Sequence, residues 1–303
     1  MREFCVVVLL TCLAGCASHP RADYVPQSGA APAKVPARAE YSFGVLPLNN
    51  AVRLFETYEP LIDEINRRVA GFSVRLETAK DFPRYEAKVR NRQLHFLFMN
   101  SHLVIPTEER GYRIIGRAAD TIRGCIVLRR DARVRTMRDL QGAAISFASS
   151  TDLPGAMMPK LFMKQNGLDV DRQAAPRYVG SPDSALMNVY FKRSGAGCVS
   201  ESAWLSWAGR HADLARALEV RWDTAPLIGL GILARNDVPR EHVQSVARAM
   251  FDLSESDKGR RVLAGLNMSG FVPANEATYD RVWEFLTDYR RAFGHTPTLG
   301  GSE

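Results

Sequence analysis

Three consecutive hydroxyl side chains, Ser149-Ser150-Thr151, stand between an apolar run, Ala143-Ala144-Ile145-Ser146-Phe147, and a helical segment that reaches Gly167. At a helix N-terminus the first amides lack intrahelical partners and the dipole adds partial positive charge, so hydroxyls and amides together can hold an anion. Ser and Thr are also ordinary N-caps, and capping alone accounts for the same residues. Ser181 repeats the arrangement in Val179-Gly180-Ser181-Pro182, a cap followed by a proline suited to a first turn. Three further polar turns, Pro47-Leu48-Asn49-Asn50, Asn100-Ser101-His102 and Ser200-Glu201-Ser202, also close apolar runs. Open α/β sheets bind ligands at the carboxyl ends of their strands, so Ser149, Ser150, Thr151, Asn100, Ser101, Ser181 and Glu201 form the candidate ligand set.

Other chemistry finds less support. Gly229-Leu230-Gly231-Ile232-Leu233-Ala234 satisfies a Gly-x-Gly-x-x-Ala pattern, but the segment runs on as an apolar strand instead of opening a helix, which argues against a dinucleotide site. The six histidines form no i,i+4 pair or Cys/His cluster with metal spacing, and no nucleophile elbow or Walker loop is present. No catalytic residue, cofactor or metal ligand is therefore assigned. Met157, Met158 and Met163 read as core, and Trp204 and Trp207 as a half-buried helix face.

A different kind of chemistry is written at the N-terminus. Phe4 to Leu13 is almost wholly apolar and too short to span about 30 Å of hydrocarbon, so residues 1–15 read as a secretory signal. Leu13-Ala14-Gly15-Cys16 resembles a bacterial lipoprotein cleavage box, with small residues for the peptidase and a thiol, Cys16, to receive lipid. Several acyl chains at ~0.8 kcal/mol per buried methylene hold a protein on a membrane almost permanently. Ala17 lacks the aspartate associated with inner-membrane retention, which favours an outer-membrane address. Export also bounds the partners: the formal net charge of +7 comes without a basic block, and nucleic acid is not an expected partner. Processing leaves Cys125 and Cys198, both in strand-like contexts, as either two buried thiols or a bridge.

The elements that must position the hydroxyls follow from periodicity. Residues 16–39, with Pro20, Pro26, Pro32 and Pro36 among Ala, Ser and Gly, read as the lipid anchor and a disordered tether. From Tyr41 onward strands alternate with helices. Val52, Phe55, Ile62, Ile65 and Val69 recur at helical spacing, Phe72, Val74 and Leu76 alternate as a strand, and Leu94 to Met99 is an apolar strand, with Asn100-Ser101 as a helix cap. Pro159 is expected to kink the helix after the hydroxyls. Gly124 to Asp131 and Pro226 to Ala234 read as two crossing strands, so residues 40–130 and 223–303 would form lobe 1 with the C-terminal helices, and 131–222 lobe 2. The expected fold is α/β, each lobe a mainly parallel sheet flanked by helices.

The order of these segments resembles the phosphate/phosphonate-binding proteins of ABC importers, a branch with the two-lobed type 2 periplasmic-binding-protein fold. The resemblance covers roughly Tyr41 to Leu266. It is carried by Gly44-Val45-Leu46-Pro47, Tyr58-Glu59-Pro60-Leu61, Met137-Arg138-Asp139-Leu140-Gln141-Gly142, Ser149-Ser150-Thr151, Asn166-Gly167-Leu168-Asp169 and Val179-Gly180-Ser181. It implies that Ser149, Ser150 and Thr151 grip an oxyanion (phosphate, phosphite or phosphonate), that both lobes close over it, and that an ABC permease is the partner. Phe82, Pro182, His95 and Gly195 depart from the family pattern, and Asp152 adds negative charge at the proposed anion site. Those departures motivate the alternative, a ligand-sensing lipoprotein of the same fold coupled to a membrane sensor or signalling protein.

Overall fold

The computed structural model describes residues 38–47 and 51–296. The signal segment, Cys16, the tether as far as residue 37 and Leu48-Asn49-Asn50 lie outside the described residues.

The chain builds half of its first lobe with β1 (Ala39–Gly44), α1 (Ala51–Arg68), β2 (Phe72–Glu77), α2 (Phe82–Arg90), β3 (Phe96–Asn100), α3 (Val104–Glu108) and β4 (Tyr112–Ala118). It leaves through β5 (Thr121–Ile122) and lays down β6 (Gly124–Arg129), β7 (Ala144–Phe147), α4 (Met158–Gln165), α5 (Val170–Gln173) and β8 (Ala175–Tyr178). The second lobe continues with α6 (Pro182–Tyr190), β9 (Ala196–Ser200), α7 (Glu201–Arg210), α8 (Ala212–Ala215) and β10 (Leu218–Asp223). Return is by β11 (Leu227–Ile228) into β12 (Leu230–Arg235), α9 (Arg240–Phe251), α10 (Asp257–Leu266), β13 (Phe271–Val272) and α11 (Asp280–Phe293).

Strand order is β13-β4-β12-β3-β1-β2 in lobe 1 and β10-β6-β9-β7-β8 in lobe 2, with β5 and β11 paired as a separate two-stranded ribbon. The expectation of mainly parallel sheets is corrected: each sheet is mixed, a parallel trio, β2-β1-β3 or β8-β7-β9, followed by antiparallel pairings that begin at β12 or β6. The reversal follows from the crossing. A strand that enters a lobe at the cleft end runs opposite to strands that leave there.

The expected boundary at residue 130 is corrected on this point. Gly124–Arg129 pairs with β9 and β10, so it belongs to the second lobe, and the crossing is made by the short β5. The second crossing strand is likewise two elements, β11 in the ribbon and β12 in the lobe 1 sheet, separated at Gly229.

Period-2 alternation sorts side chains across each sheet. In β3, Phe96 and Phe98 face the layer of α1, α9 and α10, whereas Leu97 and Met99 join a second cluster with Tyr85, Val104, Leu286 and Tyr289. In α1 the buried stripe is Leu54, Tyr58, Leu61, Ile62 and Ile65, continued by Val69 just past the end of the helix. Val52 and Phe55, expected on it, lie off its phase and are exposed at 70% and 38%. Glu64 is fully buried on the same helix, held by Arg67 and Arg68 and, across to α10, by Lys258 at 3.3 Å. The Arg67 bond leads in pulling its carboxyl down to about 2.

Cys125 and Cys198 are free thiols on adjacent strands. Ile126 pairs with Cys198, and Cys125 with Val199, so the two sulfurs point to opposite faces of the sheet and enter different core clusters. Burial pushes the Cys125 thiol up to about 11 and the Cys198 thiol further still, which leaves neither as a thiolate nucleophile.

The C-terminal helix ties the lobes a third time. Tyr279, at its head, packs against Gly231 of β12, where a Cβ would meet Tyr279 Oη at 2.7 Å and Val104 at 2.5 Å. That close approach explains the glycine. At the other end Lys164 of α4 donates to the Ala292 carbonyl and sits 4.6 Å over the Phe293 ring. Leu153, Met157, Met158 and Leu161 from lobe 2 therefore share one core cluster with Leu103, Tyr279, Leu286 and Tyr289.

Candidate ligand-binding cleft

Strand registers place the polar turns around the hinge ribbon. Leu230 lies beside Asn100, and Gly124 beside Ser200, so the carboxyl ends of β3 and β9 flank β5 and β11 from either lobe. The Gly124 amide donates to Thr224 Oγ1 (3.0 Å) and the Thr224 amide returns to the Gly124 carbonyl (2.9 Å), which fixes the exit of both chains from the ribbon. A Cβ on Gly124 would collide with the Pro154 carbonyl and with Pro159 at 2.8 Å, so the segment after the hydroxyls rests directly on the start of β6.

In lobe 2 the ladder between β7 and β8 runs beyond the strands. Val179 and Gly180 amides donate to the Phe147 and Ala148 carbonyls at 2.9 and 3.0 Å, which lays Gly180-Ser181 alongside Ser149-Ser150-Thr151. On the other flank Phe147 pairs with Cys198, two residues before Ser200. The sequence-predicted Ser149, Ser150, Thr151, Ser181 and Glu201 are thus brought to one mouth. Ser149 and Ser150 are half-buried and Thr151 is exposed.

Not all of these oxygens serve the mouth. Ser181 Oγ accepts the Ser184 amide (3.1 Å) and donates to Ser184 Oγ (2.9 Å), so it caps α6 with Pro182 in the first turn. Ser200 caps α7 by accepting the Ala203 amide at 3.1 Å. Glu201 opens α7, exposed, where a carboxylate suits the helix dipole, and its amide is taken by the Arg123 carbonyl at 3.0 Å.

The helix after Thr151 begins as a π turn, Leu153–Met157, before α4. Ala156 and Met157 amides both reach the Asp152 carbonyl, at 2.8 and 3.0 Å. Pro159 has no amide for the carbonyl four residues back, and the widened turn absorbs the expected kink. Burial raises the Asp152 carboxyl above its usual range, with the Gly155 amide acting against that rise.

Lobe 1 contributes Asn100, half-buried, and Ser101, buried. Asn100 makes no side-chain cap; a single 3-10 turn, Ser101–Leu103, follows it. Ser101 Oγ and His102 Nδ1 are buried and have no hydrogen-bond partner. Burial pushes the His102 imidazole down to about 4, so it is neutral at neutral pH. His102 belongs to the polar tripeptide Asn100-Ser101-His102 and lies outside the expected ligand set; its signal in the sequence is a polar ring just after an apolar strand.

Two α/β lobes on a two-strand ribbon, with neutral hydroxyl donors at the facing strand ends, define a two-lobed solute-binding protein. Residues 43–279 match the family described as ABC transporter, phosphonate, periplasmic substrate-binding protein, and the chain belongs to that family. Members are substrate-binding components of transporters, not enzymes, and work outside the cytoplasmic membrane.

Solved structures agree on the fold. PhnD1 from Prochlorococcus marinus in complex with methylphosphonate has a TM-score of 0.72 at 14% identity, covering 84% of this chain and 99% of that one. A Xanthomonas citri protein bound to ATP has a TM-score of 0.71 at 18% identity, covering 86% and 100%. A binding component of an ABC phosphonate transporter from Pseudomonas aeruginosa has a TM-score of 0.68 at 15% identity, covering 84% and 87%. A search of curated proteins found no match.

Proposed function

We propose that this chain is a lipid-anchored receptor that captures a small oxyanion (phosphonate, phosphite or phosphate) between its lobes and presents it to an ABC importer. The observation that carries this reading is the row Ser149-Ser150-Thr151 at the carboxyl end of β7, laid between the β8 and β9 turns and beside the hinge. Neutral hydroxyls and amides suit an anion that must later be released, because their hydrogen bonds to a charged ligand are strong without a permanent ion pair. Asn100, Ser101 and His102 meet the ligand from lobe 1. Closure follows from the ligand's differential affinity for the closed form.

The test is a thermal shift on purified protein with methylphosphonate, phosphite and phosphate. A ligand at a hundred times its Kd should stabilise by ~2.7 kcal/mol, or roughly 5–11 °C for a chain of this size class. No shift with any of the three at millimolar concentration would remove the oxyanion assignment. ATP belongs in the same panel, since the Xanthomonas citri protein of this fold holds it.

A further inference from the structure

The positive charge that is scattered along the sequence is gathered by the fold. β6 runs away from the hinge, and β7 and β9 run back toward the cleft, so the turns between them meet at the far end of lobe 2. One turn covers residues 129–142, a second 190–195, and a third, 211–219, leads into β10. Contacts join them into one surface. Arg129 donates to the Tyr190 carbonyl at 2.7 Å, the Arg130 amide to the Ala217 carbonyl at 2.9 Å, and Arg221 to the Val134 carbonyl at 3.2 Å. The three turns hold eight Lys and Arg against four Asp and Glu, an excess of four out of the whole chain's +7.

The carboxylates of this surface are already committed. Asp131 is shared by Arg129 at 2.8 Å and Lys192 at 3.3 Å, and Glu219 by Arg130 at 3.4 Å and Arg221. Asp139 accepts the Arg135 and Thr136 amides at 2.8 Å each, and Asp213 faces Arg216 at 3.4 Å. Arg133, Arg135 and Arg193 stand exposed beside them, and among the described residues their guanidinium groups form no ion pair. Phe191, 54% exposed, has the Arg193 guanidinium 5.3 Å over its ring. We propose that this end of lobe 2 is a docking surface for anionic phospholipid, which lays the body of the receptor on the membrane. Exposed cations spread over three turns around one aromatic ring suit a fluid array of phosphate headgroups, which rearranges to meet them, better than a shaped acidic partner. The Cys16 anchor proposed above selects the occupant, because a tethered domain meets lipid at high effective concentration and weak attraction per headgroup suffices. The inference rests on that anchor for its occupant and is independent of the oxyanion reading.

Vesicle flotation tests it with the purified full-length protein carrying Cys16→Ala, so that no acyl chain contributes. The vesicles are phosphatidylcholine alone and equimolar phosphatidylcholine and phosphatidylglycerol. Residues 1–15 are the same in every variant, so comparison between variants cancels their contribution. At about fivefold per cation near an anionic surface, three arginines give roughly a hundredfold preference for the anionic vesicles at low salt, and high salt removes it. Arg133→Gln, Arg135→Gln and Arg193→Gln together should abolish most of that preference while the unfolding midpoint without lipid stays close to that of the parent. Arg240→Gln, Arg261→Gln and Arg281→Gln together, at three exposed positions of lobe 1, make the same change in net charge and should leave the preference in place. An equal loss in both triple variants would reduce the effect to net charge, and a preference undiminished in the first, or absent from the folded parent, would remove this surface as a lipid site; each overturns the proposal. Binding to polyglutamate without any vesicle preference would also overturn it, assigning the surface to an acidic protein. All of these outcomes leave the oxyanion reading standing, since thermal shift with the anions tests that separately.

Discussion

Ser149 and Thr151 differ from Ser181 in what their oxygens already do. Ser181 is occupied by its own helix, whereas Ser149 and Thr151 stand at the open end of β7. Hydrogen bonds to a charged group contribute about 1.5–3 kcal/mol each. Ser149→Ala and Thr151→Ala should therefore each weaken oxyanion binding by roughly 10- to 100-fold in calorimetry. Unfolding midpoints without ligand should stay close to wild type. His102 carries a second residue-scale prediction. Its folded value of about 4 lies below the reference of 6.5, so as pH falls the unfolded chain takes the proton first. Its contribution is intact above about pH 6.5 and is lost progressively down to about pH 4, amounting to roughly 3 kcal/mol in full. Urea unfolding of wild type and His102→Leu at pH 7 and pH 5 should show a shallower pH slope in the variant, and equal slopes would refute the assignment.

Among the elements, α6 and the π turn before α4 show how turn chemistry sets the mouth. Val179-Gly180-Ser181-Pro182 is a cap and first turn in the sequence and in the structure, because both signals are local. Ser181→Ala should lose about 1 kcal/mol of stability, read as a lower denaturation midpoint, while Ser181→Asn, which can still cap, should recover most of it. The π turn was less legible. Pro159 announces an interruption, but whether a helix kinks or widens depends on what packs beneath it, and here Gly124 leaves room for Pro154 and Pro159 to lie on β6. In α1 the phase of the buried stripe could not be read from Val52 and Phe55, since apolar residues occur on both sides of the helix and only the sheet chooses between them.

At the scale of the whole molecule, closure has to work against three connections, the two ribbon strands and α11. The ribbon residues Ile122, Leu227 and Ile228 and the straddling helix share one apolar cluster, so the connection between the lobes is a continuous apolar layer instead of two bare strands, and the proposed closure would have to bend it. Delivery to an importer further requires that the receptor stay near the membrane, which the Cys16 box proposes to achieve. Cys16→Ala should abolish fatty-acid labelling of the protein in cells, and persistent labelling would place the lipid elsewhere. Detergent co-purification with permease subunits supports transport, while recovery of a kinase or cyclase would favour the sensing alternative.

Hydrophobic period, turn residues and their order were enough to give the alternating α/β elements, the two-lobed plan and the loop that holds the hydroxyls, and the resemblance of the chain's motifs pointed to the family that the match over residues 43–279 shows. Those signals are local, or are sums of local signals along the chain. Tertiary structure decided what depends on which strands become neighbours: that β6 belongs to the second lobe, that Cys125 and Cys198 face opposite sides of one sheet, and that α11 crosses back to α4. It also separated Ser181, a cap, from Ser149 and Thr151, and left Ser101 Oγ and His102 Nδ1 buried without hydrogen-bond partners. Residue types can name a possible donor, but only packing determines whether its hydrogen bond is already taken.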